Sequence, residues 1–105
     1  METIQLGKLQ LHNAIKAAVC QTFEVTWDDL AGAARWRHMN DARRVYCLLM
    51  VEEMGKTPEQ VAAYLNRDAS TVRHLRRTCD DYLQSDKWFR KKVEEAQTRL
   101  QLVKS

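Results

Sequence analysis

A chain of 105 residues, 45% hydrophobic and 30% charged, is long enough for one domain with a substantial core, which excludes intrinsic disorder. Three glycines and one proline leave little material for the turns of an all-β protein, and a net charge of +3 leans only mildly towards polyanions. The distribution of charge says more: Arg35 to Arg44 and Arg67 to Arg77 each carry four Arg against one Asp.

In chain order, residues 1 to 8 carry no strong signal and are expected to be loose. Leu11, Ile15, Ala18, Val19 and Phe23 then mark a first amphipathic helix, with His12 and Lys16 expected outward. Thr26 can cap a short helical turn through Leu30, where Asp28 and Asp29 favour a helix start. From about 31 to 40 the chain has no clean period and reads as an exposed basic loop. Asn40 or Asp41 can start the next helix, Ala42 to Met54, which is apolar on nearly every side and so expected to be surrounded by others. Gly55 stops it.

The stretch from Thr57 to Cys79 reads as two helices joined by a tight polar break. Thr57 is a good N-cap, Pro58 suits the first helical position, and Gln60 completes a capping box. Val61, Ala62 and Leu65 give one apolar stripe. Asn66-Arg67 breaks the run, and Asp68 can cap a second helix. There Val72, Leu75, Cys79 and Tyr82 share one face, while Ser70, Arg73, His74 and Arg77 share the other. Such a polar face suits a major-groove reader, and the pair reads as a helix-turn-helix over about 57–83. A break at Gln84-Ser85-Asp86 leads into a last helix, about Lys87 to Val103. Its main apolar positions are Trp88, Val93, Ala96, Leu100 and Val103, with Phe89 helping to close it. The expected fold is all-α, a compact five- to six-helix single domain over 1–105.

Catalytic inventories fail. Gly55-Lys56-Thr57 lacks the upstream glycine of a phosphate loop, and the three His and three Cys show no metal-ligand spacing. No enzyme activity, cofactor, metal or nucleotide site is expected. Cys20, Cys47 and Cys79 cannot all pair and read as small buried hydrophobes in a reducing compartment. The amino terminus resembles no signal peptide, and the longest apolar run, Val45 to Val51, is far too short to span a bilayer. A cytoplasmic protein is expected. Asp80-Asp81 should pair with Arg76 and Arg77 on the helix surface.

Arg35 and Arg37 have no evident folding role in an irregular loop. They belong either to a solvated loop or to an arm that reaches a DNA minor groove. Trp36 between them either anchors the loop on the core, the expected role, or lies against sugar and phosphate. His74, two turns into the second helix, is expected to touch a base or phosphate. Thr71 can cap, contact a thymine methyl, or both.

Ala42-Arg43 before an apolar helix, Gly55-x-Thr57, and Arg67-Asp68-x-Ser70-Thr71-Val72-x-His74 resemble the carboxy-terminal DNA-binding domain of the bacterial replication initiator DnaA. The resemblance covers about residues 10 to 103. Upstream it includes Ile15, Val19, Phe23, Val25 and Asp29-Leu30; downstream, Ser85-Asp86-x-x-Phe89-Arg90-Lys91-x-Val93. It implies sequence-specific binding of duplex DNA, with Arg35 in the minor groove and Asp68, Ser70, Thr71 and His74 at bases or backbone of the major groove. The Thr57-Pro58 start would offer N–H groups to a phosphate. The full DNA-binding set is Arg35, Arg37, Arg43, Thr57, Pro58, Arg67, Asp68, Ala69, Ser70, Thr71, Arg73, His74 and Arg77.

Three positions depart from the family pattern. Ala69 stands in place of a histidine, Asp41 in place of a basic residue, and Asn66 in place of a two-residue glycine turn. With no room for an ATPase module, the chain is expected to be a free-standing relative linked to replication initiation or its regulation. The alternative is a protein-interaction module that keeps the fold and has lost specific DNA reading.

Overall fold

The computed structural model describes residues 7–104, so most of the segment expected to be loose lies outside the described residues. Among the described residues there are six helices and no strand: α1 (Lys8–Phe23), α2 (Trp27–Ala31), α3 (Arg37–Met54), α4 (Pro58–Leu65), α5 (Ala69–Ser85) and α6 (Lys87–Lys104).

The core is built around α3. Every residue from Asp41 to Met50 is buried, and α1, α2, α5 and α6 all pack against this helix. Val45, Leu49 and Met50 are wholly inaccessible; each such side chain contributes about 1.5–3 kcal/mol through the apolar surface it removes from water. The uninterrupted apolar run of the sequence therefore has its expected cause. Gly55 ends α3 in the left-handed region, at φ 60, and its N–H bonds to Val51 O at 3.0 Å.

The start of α3 differs from expectation. It begins at Arg37 rather than near Asn40, so the irregular segment shrinks to about 32–36. No apolar period marks that first turn. An Arg37–Asp41 pair at 3.0 Å supports it instead, one helical turn apart, while Met39 points into the core.

Two aromatic expectations and a histidine are also corrected. Trp36 does not anchor the loop: it stands at the N-cap of α3 and is 69% exposed. In α6, Val93, Ala96 and Leu100 are buried as expected, but Phe89 fills the core position and Trp88 and Val103 are exposed. Trp88 meets the edge of Phe23, at 6.3 Å between centroids, with the Lys92 ammonium 5.6 Å from its ring.

His12 turns inward. Its Nε2 lies 2.7 Å from the Tyr46 hydroxyl of α3, and its ring packs 4.4 Å from that of Tyr64 on α4. Among the cysteines, Cys47 and Cys79 are buried, and burial pushes their thiols up to about 12 and 11; Cys20 is half-buried, and none is paired. No helix among the described residues is long and apolar enough to cross a membrane.

Candidate nucleic-acid interface

The start of α4 is closed by a reciprocal cap. Thr57 Oγ1 accepts from Gln60 N–H at 3.3 Å, and Gln60 Oε1 accepts from Thr57 N–H at 2.9 Å. The helix stops at Asn66, whose φ of 56 is the left-handed conformation that asparagine tolerates better than most residues. Arg67 and Asp68 complete the turn. Asp68 stands at the N-cap of α5 with extended backbone, but its side chain makes no capping bond, so the expected side-chain cap is absent. Its carboxylate is exposed beside the helix start.

Along α5, Val72, Leu75 and Cys79 are buried, and the helix packs on α3 and α4. Ser70, Arg73, His74 and Arg77 lie exposed on the opposite side, as the spacing requires; Ala69 and Thr71 are half-buried at its edge. Arg77 Nη2 donates to His74 Nδ1 at 3.2 Å. A guanidinium has no acceptor, so Nδ1 is unprotonated and the Nε2 proton of the imidazole is directed elsewhere. Arg73 is paired across the helix-turn-helix with Glu59 of α4. Of the two surface pairs expected from Asp80-Asp81, Arg76–Asp80 forms at 3.1 Å, whereas Arg77 goes to His74.

The loop between α2 and α3 is fixed from inside by two arginines. Arg43 is 1% exposed. Its Nε donates to Leu30 O at 2.9 Å, Nη2 to the carbonyls of Asp29 and Gly32 at 3.1 Å each, and Nη1 to Asn40 Oδ1 at 2.9 Å. It thereby satisfies carbonyls left open at the end of α2. Burial, and then the nearby Arg67 and Arg35, lower its pKa to about 10. Each arm of the Arg43 guanidinium thus carries a hydrogen bond within the fold.

Arg67 donates to Leu65 O at 3.2 Å and Asn66 O at 3.1 Å on its own turn, and reaches Gly32 O of the loop. Gly32 is required there, since a Cβ would stand 2.8 Å from the Asp28 carbonyl. Arg35, by contrast, is exposed. It lines a cleft of about 430 Å³ with Ala33, Ala62, Ala63, Asn66, Arg67, Asp68 and Thr71. A smaller cleft of about 210 Å³ brings Arg35 together with Thr71 and His74 above Arg43 and Arg44.

Arg37 also has a folding role that its sequence context concealed. Its Nε donates to both Asp41 oxygens, at 3.1 and 3.0 Å, and its Nη2 to Asp86 Oδ2 at 2.8 Å, with the guanidinium 4.2 Å from the centre of the Tyr82 ring. Asp86 in turn caps α6 through Phe89 N–H, and this bond, then Arg37, holds its carboxyl below the usual range. Asp41 is 1% exposed and also accepts from Arg44 Nη1 at 2.8 Å, while Arg44 Nε donates to Thr78 of α5 at 2.8 Å. The charge of Asp41, the acid that stands in place of the family's basic residue, is therefore buried between two arginines. Arg44 and Glu59 are the residues sequence reasoning missed. The Arg37-Asp41-Arg44 spacing of four and three was the available signal for the first.

The structure thus joins an outward polar helix face to an exposed arginine across a cleft, on a helix-turn-helix whose turn and loop are tied together. Residues 12–78, which contain all of these parts, match the family described as the bacterial DnaA protein helix-turn-helix. The chain belongs to the bacterial DnaA helix-turn-helix family. It is 27% identical over 90 residues to the chromosomal replication initiator protein DnaA of Chlorobaculum tepidum. That match covers 85% of this chain and 18% of the relative, so the chain spans less than a fifth of the length of the curated DnaA protein it matches. The DnaA family match runs from the first helix through most of α5, and α6 packs on beyond it.

Proposed function

We propose that this chain is a non-enzymatic protein that binds duplex DNA with sequence preference, in a role linked to the initiation of replication or its regulation. Membership of a DnaA helix-turn-helix family supports the DNA-binding and replication parts. The observation that carries the finer reading is the pairing of the exposed α5 face with Arg35 across one cleft.

In this reading the start of α5 enters the major groove, where Ser70, Thr71 and His74 meet base edges or backbone, with Asp68 and Ala69 beside them. Arg35 enters the adjacent minor groove, where negative potential favours arginine. The strand between the two grooves then runs along the cleft that separates α5 from the loop. The Thr57-Pro58 start of α4 faces a phosphate with the positive end of its dipole, since Thr57 N–H is already held by Gln60 Oε1 and Pro58 has none, and Arg73 and Arg77 add charge. Arg37, Arg43 and Arg67 act behind this surface by fixing the loop. Trp36, exposed beside Arg35, lies against sugar and phosphate. The rival reading, a protein-interaction module that keeps the fold, draws on Ala69 in place of the family's histidine; Asp41 weighs less for it, since Arg37 and Arg44 compensate its charge.

Selection of duplexes from a random library, followed by fluorescence anisotropy at two salt concentrations, tests the proposal. An enriched motif whose binding weakens as salt rises supports it, since phosphate contacts release counterions. Weak binding, equal on all sequences, would overturn the claim of sequence preference.

A further inference from the structure

The smaller cleft, of about 210 Å³, carries four arginines and no acid. Arg35, Arg43, Arg44 and Arg67 line it, with Thr71 and His74 on the α5 side, and among the described residues no carboxylate does. Arg44 is compensated by Asp41, which it shares with Arg37. Arg35, Arg43 and Arg67 form no ion pair among the described residues.

Arg43 makes that imbalance costly. It is buried, and each of its acceptors is neutral: three backbone carbonyls and the Asn40 amide oxygen. Its hydrogen bonds are satisfied; its charge is not. Buried charges are ordinarily paired, and the field of an unpaired one is little screened by salt. Burial, then Arg67 and Arg35, lower its pKa to about 10, so the guanidinium is still charged at neutral pH. Its field and those of Arg35 and Arg67 converge on the cleft. An anion placed there is attracted by three uncompensated cations, and no internal bond of Arg43 has to break. On the cleft wall, the Thr71 hydroxyl forms no hydrogen bond among the described residues. It is a donor available to an anion's oxygen.

We propose that this cleft is a phosphate site: it takes one phosphodiester of the bound strand, which accepts from the Thr71 hydroxyl and supplies the counter-charge that Arg43 lacks. This rests on the DNA-binding reading above and deepens it, because one backbone phosphate then counts for more than the others. Held between the α5 face and Arg35, that phosphate also fixes the register of the protein on the duplex.

The test places a single methylphosphonate, which removes one backbone charge, at each position of the selected duplex in turn. Binding to wild type and to Thr71→Val is read by anisotropy; valine keeps the branched shape of threonine and loses the hydroxyl. One position, on the strand between the two grooves, should cost wild type about tenfold or more, and the others about twofold or less. Thr71→Val should weaken binding to the unmodified duplex about fivefold, but by less than about twofold once that one phosphate is neutral. Even losses along the backbone would overturn the proposal, and so would losses that combine independently in Thr71→Val. A second arm titrates wild type with inorganic phosphate and no DNA, against chloride at equal ionic strength, and follows the amide NMR spectrum. The phosphate-induced shifts should saturate and be confined to residues around the cleft; scattered shifts that do not saturate would overturn the site. If wild type binds no duplex while inorganic phosphate saturates the cleft, the DNA-binding reading fails. The phosphodiester is then overturned as the occupant, and the anion site itself is upheld.

Discussion

Arg67, in the turn between α4 and α5, donates to the carbonyl of Gly32 in the loop between α2 and α3. The turn of the helix-turn-helix and the loop carrying Arg35 are therefore one mechanical unit, although they are 35 residues apart in sequence. Arg67 also satisfies the carbonyls of Leu65 and Asn66 at the end of α4. Arg67→Ala should cost about 1–2 kcal/mol of stability in urea unfolding, through carbonyls left without donors. Arg67→Lys should restore little of it, because a single ammonium cannot span the turn and the loop as a fork does. Full recovery by lysine would show that charge, not geometry, is what the site requires.

Arg43 and Arg35 make a contrasting pair. Arg43→Met strips donors from the buried Leu30 carbonyl, the half-buried Asp29 and Gly32 carbonyls and the Asn40 side chain, and should cost about 3 kcal/mol. Arg35→Ala, at an exposed position, should change stability by no more than about 0.5 kcal/mol. DNA binding should show the reverse order at temperatures where both variants are folded. Arg35→Ala should weaken binding chiefly on A/T-rich flanks, where the minor groove is narrow. Equal losses on A/T-rich and G/C-rich flanks would contradict a groove-reading role for Arg35.

His74 presents its Nε2–H because Arg77 occupies Nδ1. That donor suits an acceptor on a base edge or a phosphate. His74→Ala should relax sequence preference, costing about 1 kcal/mol or more on the best site and little on random DNA. A competition assay between sites measures this, and unchanged discrimination would assign His74 to the backbone. Arg77→Ala should weaken the effect of the histidine as well, since it frees the ring to rotate.

The sequence made the helix-turn-helix legible because its signals are local. The Thr57–Gln60 cap, the Val61-Ala62-Leu65 stripe and the two faces of α5 all depend on residues within two turns of each other. The folding role of Arg37 is not legible in the sequence because its order comes from partners far away. Arg37 reaches Asp86, Arg43 reaches carbonyls in α2, and neither spacing is visible along the chain. The extra turn of α3 rests on charged pairs rather than an apolar period, so a hydrophobic pattern cannot find it. His12 is a different case: it lies three and seven residues before Ile15 and Val19, on the face that α1 buries, and its polarity concealed that position.

His12 gives the chain a stability that depends on pH near neutrality. Burial first, then the nearby Lys16 and Lys56, lower its pKa below the ordinary 6.5. In the folded state the ring stays neutral against Tyr46, whereas in the unfolded chain it takes up a proton as pH falls through 6.5. The unfolded state therefore binds more protons in that range, and stability declines with falling pH until the folded ring also protonates. Asp29 and Asp86, whose carboxyls are held below 3.8, act in a separate window: they stabilise above that value and their contribution is lost below it. Urea unfolding of wild type at pH 7.5 and 5.5 should show lower stability at 5.5. His12→Gln, which can still hydrogen-bond Tyr46 but does not titrate, should flatten that difference. A wild-type difference that persists undiminished in His12→Gln would place the titrating group elsewhere in the chain.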